Sequence, residues 1–329
     1  MRGHPMVRDG FGLFALLMTA LTAGSCSHGG SSERSAAQST STVSVPSSPR
    51  PVDWNALDQA IGRKGDVMPG DVHRYAFPRS DLNVTLDGIA LKPGFALGSY
   101  AAFAATGSGV VVMGDLVLTE AEVSPVMGKL QQQGLELSAL HNHLLREQPK
   151  IMYLHYEGRS QDAVALGRSL HASLAVSATP MTAPSTAAPS PDLGFDPAAL
   201  DQTLGHTGTT SGGLHKYAIA RAETVVMGDG NGSGGVPLTP ALGVGTVINF
   251  QPLGSGKAAI TGDFALIGSE VAKVAGTLRT NGIEVTAAHT HMTDDTPHLY
   301  YMHFFASGPA TELAKGLRAA LDVTNSAKG

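Results

Sequence analysis

The sequence predicts an α+β protein of two tandem homologous domains, each an antiparallel sheet with helices on one face, ferredoxin-like in character. Three observations lead there. The chain has 329 residues, 42% of them hydrophobic and only 15% charged, which is enough to build two cores. Its two halves repeat one another from end to end. Within each half the hydrophobic period alternates between two and about 3.6, in the order strand, helix, strand, strand, helix.

The repeat is legible in matched segments. "LDQAIGRKG" from Leu57 answers "LDQTLGHTG" from Leu200, and "GDVHRYAFPR" ending at Arg79 answers "GGLHKYAIAR" ending at Arg221. "VVVMGDLVLTEAEV" answers "AAITGDFALIGSEV", aligning Gly114, Asp115 and Glu122 with Gly262, Asp263 and Glu270. The expected limits are 53–176 and 195–324, with a Pro/Ser/Ala-rich linker over 177–194 and a short tail over 325–329.

Each half opens on a short amphipathic helix, Trp54 to Ile61 or Pro197 to Leu204, stopped by Gly62 or Gly205 because glycine accepts the left-handed conformation that ends a helix. The β-rich segments "VHRYAFPR" and "NVTLDGIAL" follow, then a long apolar run, "SYAAFAATGSGVVVMGDLVL". In the second half the matching run carries "GSG" as the turn of a hairpin. A helix is expected from Glu120 to Gln133, its partner from Ser269 to Thr280. Then come the strand "LELSALHNHL", a turn containing Pro149, the strand "KIMYLHYEG" and a last helix from Asp162 to Leu174.

The N-terminus reads as a targeting segment. Arg2 and Arg8 precede an apolar run from Phe11 to Ala23, too short for the roughly 20 residues of a bilayer span. Ala23, Gly24 and Ser25 lead into Cys26, the single cysteine of the chain. This resembles a bacterial lipobox, with residues 1–25 as signal peptide and Cys26 as the lipidation site. A plain secretory signal is the alternative. Residues 26–52 are Ser-, Thr- and Pro-rich and are expected to form a disordered tether. Disulfide and thiol chemistry are excluded from the body of the protein. The net charge of −5, without long runs of one sign, offers no basic surface for nucleic acid, and no nucleic-acid partner is expected.

Of thirteen histidines, eight occupy four matched positions: His73 and His215, His141 and His289, His143 and His291, His155 and His303. His-x-His on a strand sends both rings to one face. If the hairpin turns near Pro149, His143 lies opposite His155, and His291 opposite His303, so that each repeat gathers three imidazoles. Three histidines with an open position suit a divalent transition metal, zinc first. Glu122 and Glu270 are the candidate catalytic carboxylates, with helix capping as the alternative. Asp115 and Asp263, each after a Gly at an expected strand end, are candidate ligands or turn residues. A non-catalytic reading stands beside this one: the histidines, with Tyr153, Tyr156, Tyr301 and Phe304, form a polar layer between the repeats. "GDGNGSGG" from Gly228 lacks the Gly-Lys-Ser/Thr ending of a phosphate loop.

The runs "FALGSYAAFAATGSGVVVMGDLVLTEAEVSPVM", "LHNHLLREQPKIMYLHYEG" and "TVINFQPLGSGKAAITGDFAL" resemble the LppY/LpqO family of bacterial lipoproteins, the DUF1259 domain, over 53–324. The resemblance implies a lipid-anchored extracytoplasmic location and no defined activity. The expectation for function is a metal-dependent hydrolase of an envelope component; the alternative is a non-catalytic envelope protein that binds a ligand or partner between its repeats.

Overall fold

The computed structural model describes residues 51–107, 109–182, 192–228 and 235–329. The signal segment, Cys26 and most of the tether lie outside the described residues, as do most of the interdomain linker and of the Gly-rich loop. Among the described residues no helix is long and apolar enough to cross a membrane.

The first repeat runs α1 (Trp54–Ile61), β1 (Asp66–Met68), β2 (Val72–Pro78), β3 (Thr85–Leu86), β4 (Ile89–Ala90), α2 (Pro93–Ala96), β5 (Gly98–Thr106), β6 (Gly109–Thr119), α3 (Glu120–Gln132), β7 (Glu136–His141), β8 (Ile151–Ser160) and α4 (Ala163–Leu174). The second runs α5 (Pro197–Leu204), β9 (Thr209–Ser211), β10 (Leu214–Ile219), β11 (Val225–Met227), β12 (Val236–Leu238), a 3₁₀ turn (Pro240–Leu242), β13 (Thr246–Gly254), β14 (Lys257–Ile267), α6 (Gly268–Thr280), β15 (Glu284–His289), β16 (Asp295–Thr296), β17 (Leu299–Pro309) and α7 (Ala310–Leu321).

Local chemistry sets the helix ends. Asp53 and Asp196 cap α1 and α5 by accepting from the backbone N–H of Ala56 and Ala198, each at 3.0 Å, and Gly62 and Gly205 close them with φ of 85° and 70°.

Each repeat builds a six-stranded antiparallel sheet, in the orders β1-β2-β5-β6-β8-β7 and β9-β10-β13-β14-β17-β15. These are the same order, as the duplication requires. β8 lies between β6 and β7 and is antiparallel to both, so β6–α3–β7 is a split βαβ unit, the ferredoxin-like element. β6 is buried along nearly its whole length, which is why "VVVMGDLVL" reads as a continuous apolar run and not an alternating one.

One face of each sheet is covered by its own helices. Leu57, Ile61, Val126, Leu130, Leu166 and Leu170 pack there with Phe103, Val112, Leu154 and Tyr156. The second repeat repeats this with Leu200, Val274, Leu278 and Leu317 against Phe250, Ile260 and Phe304. The other faces meet each other. Met113 and Val111 of the first sheet share a cluster with Ala265, Leu299 and Tyr301 of the second, and Val117, Ile151 and Tyr153 share another with Ala259 and Phe305. The molecule is thus layered helix, sheet, sheet, helix.

Contacts with each repeat continue beyond its last helix. Beyond α4, Ala178 donates its N–H to Glu122 at 2.7 Å, Thr179 is buried and Met181 packs on the first core. Beyond α7, Asn325 donates to Glu270 at 2.7 Å and Ala327 N–H to the Ala220 carbonyl at 2.8 Å. The start of the linker and the tail thus pack against the repeats they follow.

Candidate metal centre

Between the two apolar clusters of the sheet-to-sheet interface lies a polar layer. Along β6, Asp115 falls between Met113 of one cluster and Val117 of the other; along β17, His303 falls between Tyr301 and Phe305. Cross-strand register sets Asp115 beside His155 and Asp263 beside His303. Opposed residues in a sheet have Cβ atoms about 4.5 to 5.5 Å apart, so each carboxylate is a neighbour of a histidine in its own repeat.

The expected pairing of His143 with His155 is not what forms. β7 ends at His141, which lies opposite Tyr153, and His155 lies opposite Ala139 after a register shift between Leu137 and Ala139. The second repeat carries the same shift between Val285 and Ala287, setting His289 opposite Tyr301 and His303 opposite Ala287. The connection after β7 is consequently a long loop, not a tight turn, and it folds His143 onto the Tyr153 ring, centroids 3.3 Å apart. His291 rests on Tyr301 in the same way, at 3.5 Å.

The expectation of one three-histidine cluster per repeat is corrected as well. The six histidines form a single layer across the interface. His141 stacks on His289 with centroids 3.5 Å apart, His143 on His303 at 3.8 Å and His155 on His291 at 4.3 Å. Exchanging each residue for its matched partner maps these contacts onto one another, which is an approximate twofold relation. Among the described residues, two donor groups have all their ligand atoms within 4.8 Å of one another: His141, His143, His289 and His303, drawn from both repeats, and Asp263, His291 and His303 from the second. His303 belongs to both, and its Nε2 is 2.9 Å from Nε2 of His289. Asp115 Oδ2 is 3.5 Å from His143 Nε2. Hydrogen bonds cross beside the layer, from Asn142 Nδ2 to the Thr286 carbonyl at 3.3 Å and from the Thr286 hydroxyl to the His143 carbonyl at 2.5 Å.

Burial controls the charge here. It holds all six imidazoles in the neutral form, helped by neighbouring imidazoles at every one but His289: His141 falls to about 2, His155 to about 3 and His289 to about 4, while His143, His291 and His303 lie well below the ordinary histidine value. Burial raises the carboxyl of Asp263 to about 7 and that of Asp115 well above the usual range, with the Asp263 charge adding to the latter. A neutral imidazole offers a lone pair, and many are unused. Both ring nitrogens of His141, His155 and His291, Nε2 of His143 and Oδ1 of Asp115 are buried without a hydrogen-bond partner. Unpaired buried polar atoms are costly, and a cation among them would satisfy several at once.

Glu122 and Glu270 stand elsewhere, in the capping arrangement. Glu122 accepts from Thr119 N–H at 2.8 Å and from the fully buried Arg79 at 2.9 and 3.2 Å; Arg79 also donates to the Val117 carbonyl at 2.7 Å and to Asp81. Burial opposes the charged form of Glu122, but Arg79 and the backbone donors outweigh it and hold the carboxyl at about 2. Glu270 repeats this with Ile267 N–H at 3.0 Å and with Arg221, which also donates to the Ala265 carbonyl and Glu223. A carboxylate so engaged is a poor proton acceptor. The arginines were readable as matched positions, and their pairing with the matched glutamates is what sequence reasoning missed.

Asp115 and Asp263 are not turn residues, since each lies inside its strand. Gly114 and Gly262 precede them because a Cβ there would collide with the carbonyl oxygens of Tyr100 and Val247 on the adjacent strands. Of the polar layer expected between the repeats, Tyr153 and Tyr301 belong to the interface, whereas Tyr156 and Phe304 face the helices. His215 is held by Asp201 and Thr210, both at 2.9 Å, and His73 stacks on Trp54 at 3.8 Å, so neither joins the layer.

No curated protein matches the sequence. Among solved structures, the chain has some similarity to the trimeric bacterial microcompartment shell protein PduB (12% identity over 80% of this chain and 96% of that one, TM-score 0.22). EtuB from Clostridium kluyveri is a further match (9% identity, 80% and 95%, TM-score 0.19). The model of a domain of unknown function, DUF1259, matches twice, over residues 55–176 and 198–323. The chain belongs to the DUF1259 family and carries two copies of its domain in tandem.

Proposed function

We propose that this chain is an extracytoplasmic lipoprotein of the LppY/LpqO type, anchored to a bacterial membrane through lipid on Cys26, whose inter-repeat histidines bind a divalent transition metal, zinc first, for hydrolysis of an envelope component. The observation that carries the metal reading is the convergence of histidines from both repeats: two overlapping groups, which together take five of the six, each have their donor atoms within 4.8 Å of one another. Neutral imidazoles with buried carboxylates suit zinc and its neighbours better than magnesium or calcium, which prefer oxygen. Bound in this way, such an ion lowers the pKa of its water and supplies the nucleophile of a hydrolysis. His143 and His289 are the less buried members of the layer.

His303 belongs to both donor groups, so His303→Ala is the decisive change. The purified full-length chain is expected to carry stoichiometric zinc, and H303A to lose it while keeping its circular dichroism. Wild-type protein without metal, both as isolated and after reconstitution with Zn²⁺, would overturn the reading. Hydrolysis is tested separately, by turnover of chromogenic ester and phosphoester substrates that a chelator abolishes. A second reading, a non-catalytic envelope protein binding a ligand or partner, draws support from the burial of His141, His155, His291 and His303. It predicts ligand or partner binding without turnover.

A further inference from the structure

We infer that the centre holds one divalent ion, that it sits in the group His141, His143, His289 and His303, and that it thereby ties the two repeats together. The inference rests on the metal reading above and adds the ion's position, its ligands and its number.

Three observations carry it. The first is the donor count. This group brings four imidazoles, the shell a zinc-type ion takes, whereas Asp263, His291 and His303 bring three donors. Zinc expands to five ligands, so a water can still join, as hydrolysis needs.

The second is the protonation of the two rings in closest approach. His289 and His303 hold their Nε2 atoms 2.9 Å apart. His289 Nδ1 lies 3.3 Å from the Thr290 carbonyl, which can only accept, so the ring's proton is on Nδ1 and its Nε2 keeps a lone pair. The Gly262 backbone favours a proton on the His303 ring in the same way, and with Nε2 turned to His289 that proton falls to Nδ1. Two neutral rings so held set lone pair against lone pair, and a cation that both ligate removes the repulsion. A ring N–H given to a backbone carbonyl is also what orients imidazoles bound to metals.

The third is relief of unpaired atoms. An ion in this group gives a partner to two rings that have buried, unpartnered nitrogens, His141 and His143; an ion beside Asp263 gives one to His291 alone. Both groups need His303, whose Nε2 is its free nitrogen, so they cannot be filled together. The filled group takes two ligands from each repeat, His141 at the end of β7 with His143 after it, and His289 at the end of β15 with His303 in β17. Metal binding energy is therefore also docking energy of one sheet on the other.

The test is titration of the full-length chain, stripped by chelation, with Co²⁺, together with X-ray absorption of the zinc-loaded protein, whose scattering counts imidazole ligands. The expected result is one equivalent per chain in an all-imidazole shell. His141→Ala and His143→Ala, both in the first repeat, should weaken binding at least about tenfold, the least that loss even of a ligand's supporting partner costs. Asp263→Asn and His291→Ala should keep the ion at wild-type affinity. Zinc should slow amide exchange in both β7 and β15, one strand of each repeat. A shell with a carboxylate, two equivalents, or slowing confined to the second repeat would each overturn this inference and leave the metal reading standing; no ion at all would overturn both. The wild-type shell and exchange need no variant, so a change that fails to fold does not protect the inference.

Discussion

The His141 ring lies on the His289 ring with centroids 3.5 Å apart and planes 19° from parallel, joining equivalent positions of the two repeats face to face. Neither imidazole can reorient without displacing the other, so the donors of one repeat depend on those of its mate. The expected consequence is non-additivity: His141→Ala and His289→Ala should each weaken metal binding, and the double variant should lose little more than either alone. Competition against a chromophoric chelator measures the three affinities, and strictly additive losses would mean that the rings act independently.

Arg79 is the most consequential buried charge outside the centre. It is fully buried and divided among Glu122, Asp81 and the Val117 carbonyl. Arg79→Ala leaves Glu122 uncompensated and should cost about 3–5 kcal/mol of stability by urea unfolding, with Arg221→Ala similar. Arg146, paired with Asp87 and Glu284 on the surface, makes as many ion pairs, yet Arg146→Ala should leave the unfolding midpoint essentially unchanged because water screens them.

The matched tyrosines should differ. The Tyr153 hydroxyl donates to the Ala96 carbonyl at 2.8 Å, whereas the Tyr301 hydroxyl is buried with no hydrogen-bond partner. Tyr153→Phe is expected to cost about 1 kcal/mol, and Tyr301→Phe to be neutral or slightly stabilising. Equal losses in chemical denaturation would contradict the asymmetry.

Acid should destabilise the metal-free protein in two overlapping windows. The buried histidines have folded pKa values below the unfolded 6.5, with His289 at about 4 and His155 at about 3. Their contribution is complete above pH 6.5 and is lost as pH falls through those values; the raised carboxyls of Asp263 and Asp115 act in the opposite sense over the same window but are outnumbered by the six imidazoles. Glu122 acts in the same direction as the histidines lower down, from an unfolded 4.5 toward a folded value of about 2. Melting temperature against pH should thus decline from just below pH 6.5, and saturating zinc should shift the first decline downward by competing with protons.

The duplication, the helices and the matched histidines were all readable in the sequence, because periodicity, capping residues and repetition are local properties of the chain. α1 and α5 begin and end where Asp, Pro and Gly place them, and α3, α4 and α6 fall within a residue of the expected limits. Which histidines meet was decided in three dimensions. Side chains on a strand alternate between faces, so a one-residue shift in pairing changes their neighbours, and the shift after Leu137 has no composition signal that sets its size. Nor does a periodic pattern say what covers a sheet's second face. Here the two inner faces cover each other, burying most of the histidines and turning two expected clusters into one shared layer. Glu122 and Glu270 illustrate the same limit: the sequence placed each at a helix start, and only the fold brought Arg79 and Arg221 to them from distant strands.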